Sequence, residues 1–153
     1  MIKKNPYEQN IQKKCHVCKN QVAIDQFGNG DGCSVCGWQQ NDKGWEFPDR
    51  VIAPNLTTLN KAISRYSTGR PNEVDFDDFI GAYMFYAEME FWYNNIKYAV
   101  SWNDKQAAVA LFNEKTRMST YYKDILDFAA NASIDGRKLV DIWHEVKDPY
   151  WLT

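Results

Sequence analysis

The chain has 153 residues, of which 44% are hydrophobic, 15% aromatic and 25% charged, with a formal net charge of -2. So much apolar mass with so little net charge suits one large folded domain or two small ones, and excludes whole-chain disorder, collagen and coiled coil. The near-neutral total joins unlike halves: residues 1–70 carry 10 Lys and Arg against 6 Asp and Glu, a net of +4, and residues 71–153 carry 8 against 14, a net of -6.

The first segment, through Lys14, is polar and charged (Lys3, Lys4, Glu8, Lys13, Lys14) and lacks the apolar run of a secretory signal. No apolar stretch nears the roughly 20 residues that span a bilayer, so no membrane contact is expected and the expected location is cytoplasmic. All four cysteines fall between Cys15 and Cys36, which excludes a disulfide framework spread through a secreted fold.

Cys15 and Cys18 are two residues apart, as are Cys33 and Cys36, with fourteen residues between the pairs. This is zinc-ribbon spacing: each pair sits on a tight turn that aims two thiolates at one ion, and the intervening loop folds back to complete a tetrahedron. Gly37 suits the turn after the second pair, where positive φ is often needed. Phe27–Gly32 reads as turn chemistry between two short strands, one over Gln21–Gln26. Single Cys-x-x-Cys redox motifs open a helix in a βαβ setting, which is missing here, and nothing supplies the electron-transfer context of an iron–sulfur site. Four cysteines also close the coordination shell, so one structural Zn2+ is expected. His16, inside the first knuckle, is expected to point outward rather than ligate.

After the second pair the chain reads Cys36-Gly37-Trp38-Gln39-Gln40-Asn41-Asp42, then Pro48-Asp49, then Pro54 to Ala62. Over roughly Lys14 to Tyr66 this resembles the cysteine-rich CPCC family, small bacterial zinc-ribbon domains with an aromatic-acidic stretch and a short helix. The resemblance places the metal ligands at Cys15, Cys18, Cys33 and Cys36. Where the family has Cys-Pro-Cys-Cys, this chain has Cys15-His16-Val17-Cys18, which keeps the ligand spacing but lacks the proline and the additional cysteine.

Arg65–Asn72 interrupts every apolar period and marks a boundary between a ribbon with a short helix (residues 1–68) and an acidic module (residues 72–153). In the second part, Asp75 is placed to cap a helix with Phe76, Phe79, Ile80, Tyr83 and Met84 on its apolar face. Met89–Tyr93 and Ile96–Trp102 alternate with period two around Asn94-Asn95, a two-residue hairpin turn. After a turn at Asn103–Lys105, Gln106–Phe112 is expected as a third strand. Two helices then follow, one carrying Tyr122, Ile125, Leu126 and Ala129, the other Leu139, Ile142, Trp143 and Val146; Ser133–Gly136 separates them, and Pro149 ends the second. The expected class is α+β: a zinc ribbon, then a helix, a three-stranded antiparallel meander and two helices. The Phe-Asp-Asp-Phe-Ile opening at Phe76, the hairpin from Glu90 to Tyr98 and the Ile134-Asp135-Gly136-Arg137 closing are similar to small domains of Gram-positive bacteria and their phages. That resemblance implies toxin–immunity or phage-defence neighbourhoods.

No catalytic set emerges. His144 lies beside Glu145 and one turn from Asp141, but lacks the second histidine of a zinc-peptidase helix, and the trio reads as a solvated face. Gly28-x-Gly30-x-Gly32 is not followed by the Lys-Ser/Thr and helix of a phosphate loop. With six Trp, nine Tyr and eight Phe, some aromatics must lie outside the core, since Trp92 points opposite to Phe91 and Tyr93 along its strand. The chain therefore reads as a non-enzymatic zinc protein that binds another protein with a basic surface, in the manner of an immunity or phage counter-defence inhibitor. The expected contact residues are Glu73, Asp75, Asp77, Asp78, Trp38 and Trp45. The alternative is nucleic-acid binding by the ribbon through Lys3, Lys4, Lys13, Lys14 and Lys19. Self-association through exposed aromatics is a third reading.

Overall fold

Short antiparallel pairing opens the structure. In the computed structural model, which describes residues 11–24, 30 and 32–152, strands β1 (Ile11–Lys14) and β2 (Gln21–Ile24) pair with Lys14 opposite Gln21. Cys15–Asn20 is thereby left as the connecting turn. Alternation along β2 sends Val22 and Ile24 inward. The expected strand Gln21–Gln26 is thus seen as far as Ile24; Asp25, Gln26 and most of the Phe27–Gly32 turn lie outside the described residues.

Helix α1 (Asp42–Glu46) is capped by Asn41, whose side chain accepts from the Gly44 N–H. Helix α2 (Leu59–Tyr66) is capped by Thr58, whose hydroxyl accepts from the Lys61 N–H at 3.2 Å, and it buries Leu59 and Ala62. These two residues join Cys15, Val17, Val22, Ile24, Cys33 and Trp38 in a single buried cluster, so the cysteines and the apolar core of this part are one structure.

By its internal contacts the chain divides into two units, one ending at Glu73 and one beginning at Val74. In the second, α3 (Phe76–Tyr86) begins with a capping box: Asp75 accepts from the Asp78 N–H at 2.8 Å and the Asp78 side chain accepts from the Asp75 N–H at 3.3 Å. Strands β3 (Glu88–Tyr93), β4 (Ile96–Asn103), β5 (Ala108–Asn113) and β6 (Met118–Tyr122) then form a meander. Asn94 and Asn95 both take positive φ, 49° and 59°, the backbone that a tight two-residue hairpin needs. Helix α4 (Ile125–Asn131), the hairpin β7 (Ser133–Ile134) and β8 (Arg137–Lys138), and the single turn α5 (Leu139–Ile142) follow. A 3-10 turn at Trp143–Glu145 leads into β9 (Lys147–Trp151), which pairs with β3 and completes a five-stranded antiparallel sheet in the order β6-β5-β4-β3-β9.

The α+β class and the helix and hairpins around it match the expectation, but the arrangement differs in four places. The sheet has five strands rather than three. Tyr122 ends a strand instead of opening a helix, and α4 starts only after Asp124, which caps it. Asp135 and Gly136, at φ 51° and 77°, turn a hairpin rather than cap a helix. Pro149 lies inside β9, where an edge strand tolerates a residue that donates no hydrogen bond, and the expected last helix shrinks to one turn before it.

Register separates the sheet's two faces. Met89, Phe91, Tyr98, Val100, Val109 and Leu111 share the inner face, and the helices pack there: Phe79 lies 5.7 Å from Phe91 and 4.7 Å from Trp143 between ring centroids, and Phe128 lies 5.3 Å from Tyr122. Trp143 is tied down by its indole N–H, which donates to the Val74 carbonyl at 2.9 Å. The outer face carries Glu90, Trp92, Lys97, Ala99, Phe112 and Tyr121. Met84, expected on the apolar face of α3, is exposed, and Ala82 is buried in that helix instead.

Candidate metal centre

Two turns of the same construction hold the four cysteines. In the first, Cys15 N–H donates to the Asn20 carbonyl at 2.7 Å and Lys19 N–H to the Cys15 carbonyl at 3.0 Å. In the second, Cys33 N–H donates to the Trp38 carbonyl at 2.9 Å and Gly37 N–H to the Cys33 carbonyl at 2.7 Å. Lys19 and Gly37 occupy equivalent places, four residues after the first cysteine of each pair, and both have positive φ, 64° and 76°. The expected strained position at Gly37 is present; its twin at Lys19 was hidden because lysine gives no hint of left-handed backbone.

The four sulfurs lie within 4.8 Å of one another and form a possible metal site. Cys15 and Cys36 sulfurs are 3.6 Å apart, and those of Cys18 and Cys33 3.5 Å. For a metal–sulfur bond of about 2.3 Å, a tetrahedron has edges of about 3.8 Å, so the set fits a four-thiolate ion. Cys15 and Cys33 are buried, while Cys18 and Cys36 are half-buried.

Amide donors surround the sulfurs. Gln40 Nε2 donates to Cys15 Sγ at 3.2 Å and to the Trp38 carbonyl at 3.1 Å, and Asn20 Nδ2 donates to Cys18 Sγ at 3.3 Å. Such donors favour thiolate over thiol. Burial acts to raise the Cys18 thiol, but the hydrogen bonds from Asn20 and the neighbouring thiols outweigh it and pull Cys18 down to about 6. Burial pushes Cys36 up, and the adjacent thiols add to that. Four sulfurs this close cannot all ionise without a cation to offset their charge. Sequence reading missed Asn20 and Gln40; their only local signal is an amide side chain two residues past Cys18 and another four residues past Cys36.

His16 stays out of the sulfur set, as expected. Its ring lies against Trp45, with centroids 4.6 Å apart. The expected partner-contacting residues scatter. Trp38 is 2% exposed and belongs to the core around the cysteines, so it offers no contact surface. Asp78 is 1% exposed, and with Asp75 it is used in capping α3, because the free N–H groups of a helix start attract carboxylates. Asp77, Glu73 and Trp45 are exposed. Glu145 is gripped by both Arg137 nitrogens, at 2.7 and 3.3 Å, which hold its carboxyl below the usual carboxylate range, and His144 stands exposed beside it. Among the described residues no helix is long and apolar enough to cross a membrane.

Paired cysteine turns sharing one core define a cysteine-rich module with a possible four-sulfur metal site. Residues 13–71 match the model of the cysteine-rich CPCC family, the resemblance expected from the sequence. No curated protein and no solved structure matches the chain.

Proposed function

We propose that this is a non-enzymatic zinc protein, in which the ion staples the first unit and the second unit binds a protein partner through the outer face of its sheet. Zinc is favoured because four thiolates in a tetrahedral set suit it and leave no open position for a reacting water. When bound, the ion cross-links the two cysteine turns.

The partner reading is carried by one observation. The helices pack their aromatic side chains on one face of the sheet, while the opposite face presents Trp92, Tyr121 and Tyr150 at 41%, 45% and 50% exposure. Between them lie the small side chains of Ala99, Ser101 and Ala110, and the Lys97–Glu90 ion pair at 2.9 Å. A flat surface of small residues bordered by Tyr and Trp is the make-up of protein-contact anchors. The acidic balance of residues 71–153 favours a partner with a basic surface. Covering a basic nucleic-acid-binding surface would inhibit such a partner, which is the immunity or counter-defence mode. Affinity capture from the native host, followed by reconstitution with the purified partner, tests the reading. A Trp92→Ala/Tyr121→Ala variant that retains its fold should lose the partner by tenfold or more; an unchanged affinity refutes the assignment to this face.

A further inference from the structure

Beside the first cysteine turn opens a cavity of about 510 Å3, whose lining includes Lys13, Lys14, Lys19, His16, Trp45 and Val22. That size falls within the roughly 300–1,000 Å3 of small-ligand sites. The three lysines are exposed, and among the described residues none pairs with a carboxylate. Lys19 Nζ donates to the His16 carbonyl at 2.7 Å, which holds the ammonium at the cavity.

The aromatic part is equally unspent. Trp45 is 60% exposed, and its ring is held at 33° to the His16 imidazole. The imidazole covers one face of the indole, and its Nδ1 is buried there, so the other indole face is the one left for a ligand. One small space thus joins three lysine ammonium groups and an open indole face. An acidic peptide would use only the first of these. A base attached to a phosphate would use both.

We propose that this cavity binds a nucleotide unit, with the base laid on the open face of Trp45 and the phosphate held by Lys13, Lys14 and Lys19. The unit can be a free nucleotide or one residue of a single strand, since both present the same chemistry. A duplex is disfavoured because its bases are already stacked. The site lies in the first unit and is independent of the sheet face assigned above to a protein partner.

The test titrates the full, metal-loaded chain with a fluorescein-labelled single-stranded oligonucleotide, a nucleoside triphosphate, inorganic triphosphate and poly-glutamate. One of the first two should bind more tightly than either of the last two. Saturation by the nucleoside triphosphate assigns a free nucleotide, and saturation by the strand alone assigns nucleic acid. For the strand, one phosphate neutralised by the lysines predicts a slope of log affinity against log salt of about -0.7. Trp45→Ala should weaken binding about tenfold while leaving metal content and circular dichroism unchanged, and Trp45→Phe should retain most of it. If Trp45→Ala fails to fold, the Lys13→Gln/Lys14→Gln pair replaces it and should flatten the salt slope. The proposal is overturned if neither nucleotide probe binds, if poly-glutamate or inorganic triphosphate binds as well as they do, or if the Trp45 and lysine variants bind like the parent.

Discussion

Metal removal should unfold the first unit and leave the second folded. The magnitude follows from what each core contains. In the first unit the buried cluster consists of Cys15 and Cys33 with Val17, Val22, Ile24, Trp38, Leu59 and Ala62, against which Cys18 and Cys36 also pack. Its strands are four residues long. A unit of roughly 60 residues has a net stability of about 3–9 kcal/mol, whereas a structural zinc ion contributes about 10–16 kcal/mol. The ion's contribution exceeds the whole, so the metal-free unit lies on the unfolded side. The second unit buries Phe79, Met89, Phe91, Val100, Phe128, Leu139 and Ile142 completely and contains no cysteine. Hydrogen exchange read by mass spectrometry, with and without a chelator under reducing conditions, separates the two. Amides of Cys15–Asn20, Cys33–Trp38 and α2 should exchange at unfolded rates after chelation, while those of β3, β4 and β5 keep their protection. Persistent protection of α2 without metal would refute the reasoning, as would joint loss of protection in both units. Elemental analysis should find one zinc per chain, and iron in its place would overturn the choice of ion.

The remaining predictions concern single residues. Gly37→Ala should destabilise the metal-bound unit by about 1–2 kcal/mol, because φ is +76° there and an added Cβ would sit 3.1 Å from Asn72 Nδ2; chelator competition should show weaker zinc binding, and an unchanged affinity would count against the turn geometry. Asp75→Ala should cost about 1 kcal/mol in thermal unfolding of the second unit through loss of the α3 cap, while Asp77→Ala, on the exposed side, should change stability by less than about 0.5 kcal/mol. Tyr86→Phe should be neutral or stabilising by about 1 kcal/mol, since the buried hydroxyl has no partner among the described residues. Burial also pushes Tyr86 up to about 12. The folded state then holds this proton more tightly than the unfolded one, whose tyrosine ionises near pH 10. The associated stability is complete below about pH 10 and is lost as pH rises toward 12, and Tyr86→Phe should flatten that alkaline decline in denaturant titrations.

What the amino-acid order determined by itself is local. Each cysteine turn closes through hydrogen bonds spanning four or five residues, so the Cys-x-x-Cys spacing already implies where the sulfurs point, and the repeated spacing implies a common ion. The Asp75 cap and the Asn94-Asn95 turn are equally short-range, and both were legible for that reason. Tertiary structure decided everything that needs a distant partner. Met118–Tyr122 is a strand because β5 supplies its hydrogen bonds, and Lys147–Trp151 is one because β3 does, across the whole intervening chain. Neither segment shows this in its own periodicity. Burial behaves likewise: Trp38 and Trp45 look alike in sequence, yet one fills the core beside the cysteines and the other stands open to solvent. The physical reason is that a turn is fixed by the dihedral angles of a few neighbouring residues, while a strand edge or a buried indole is fixed only by what folding brings against it.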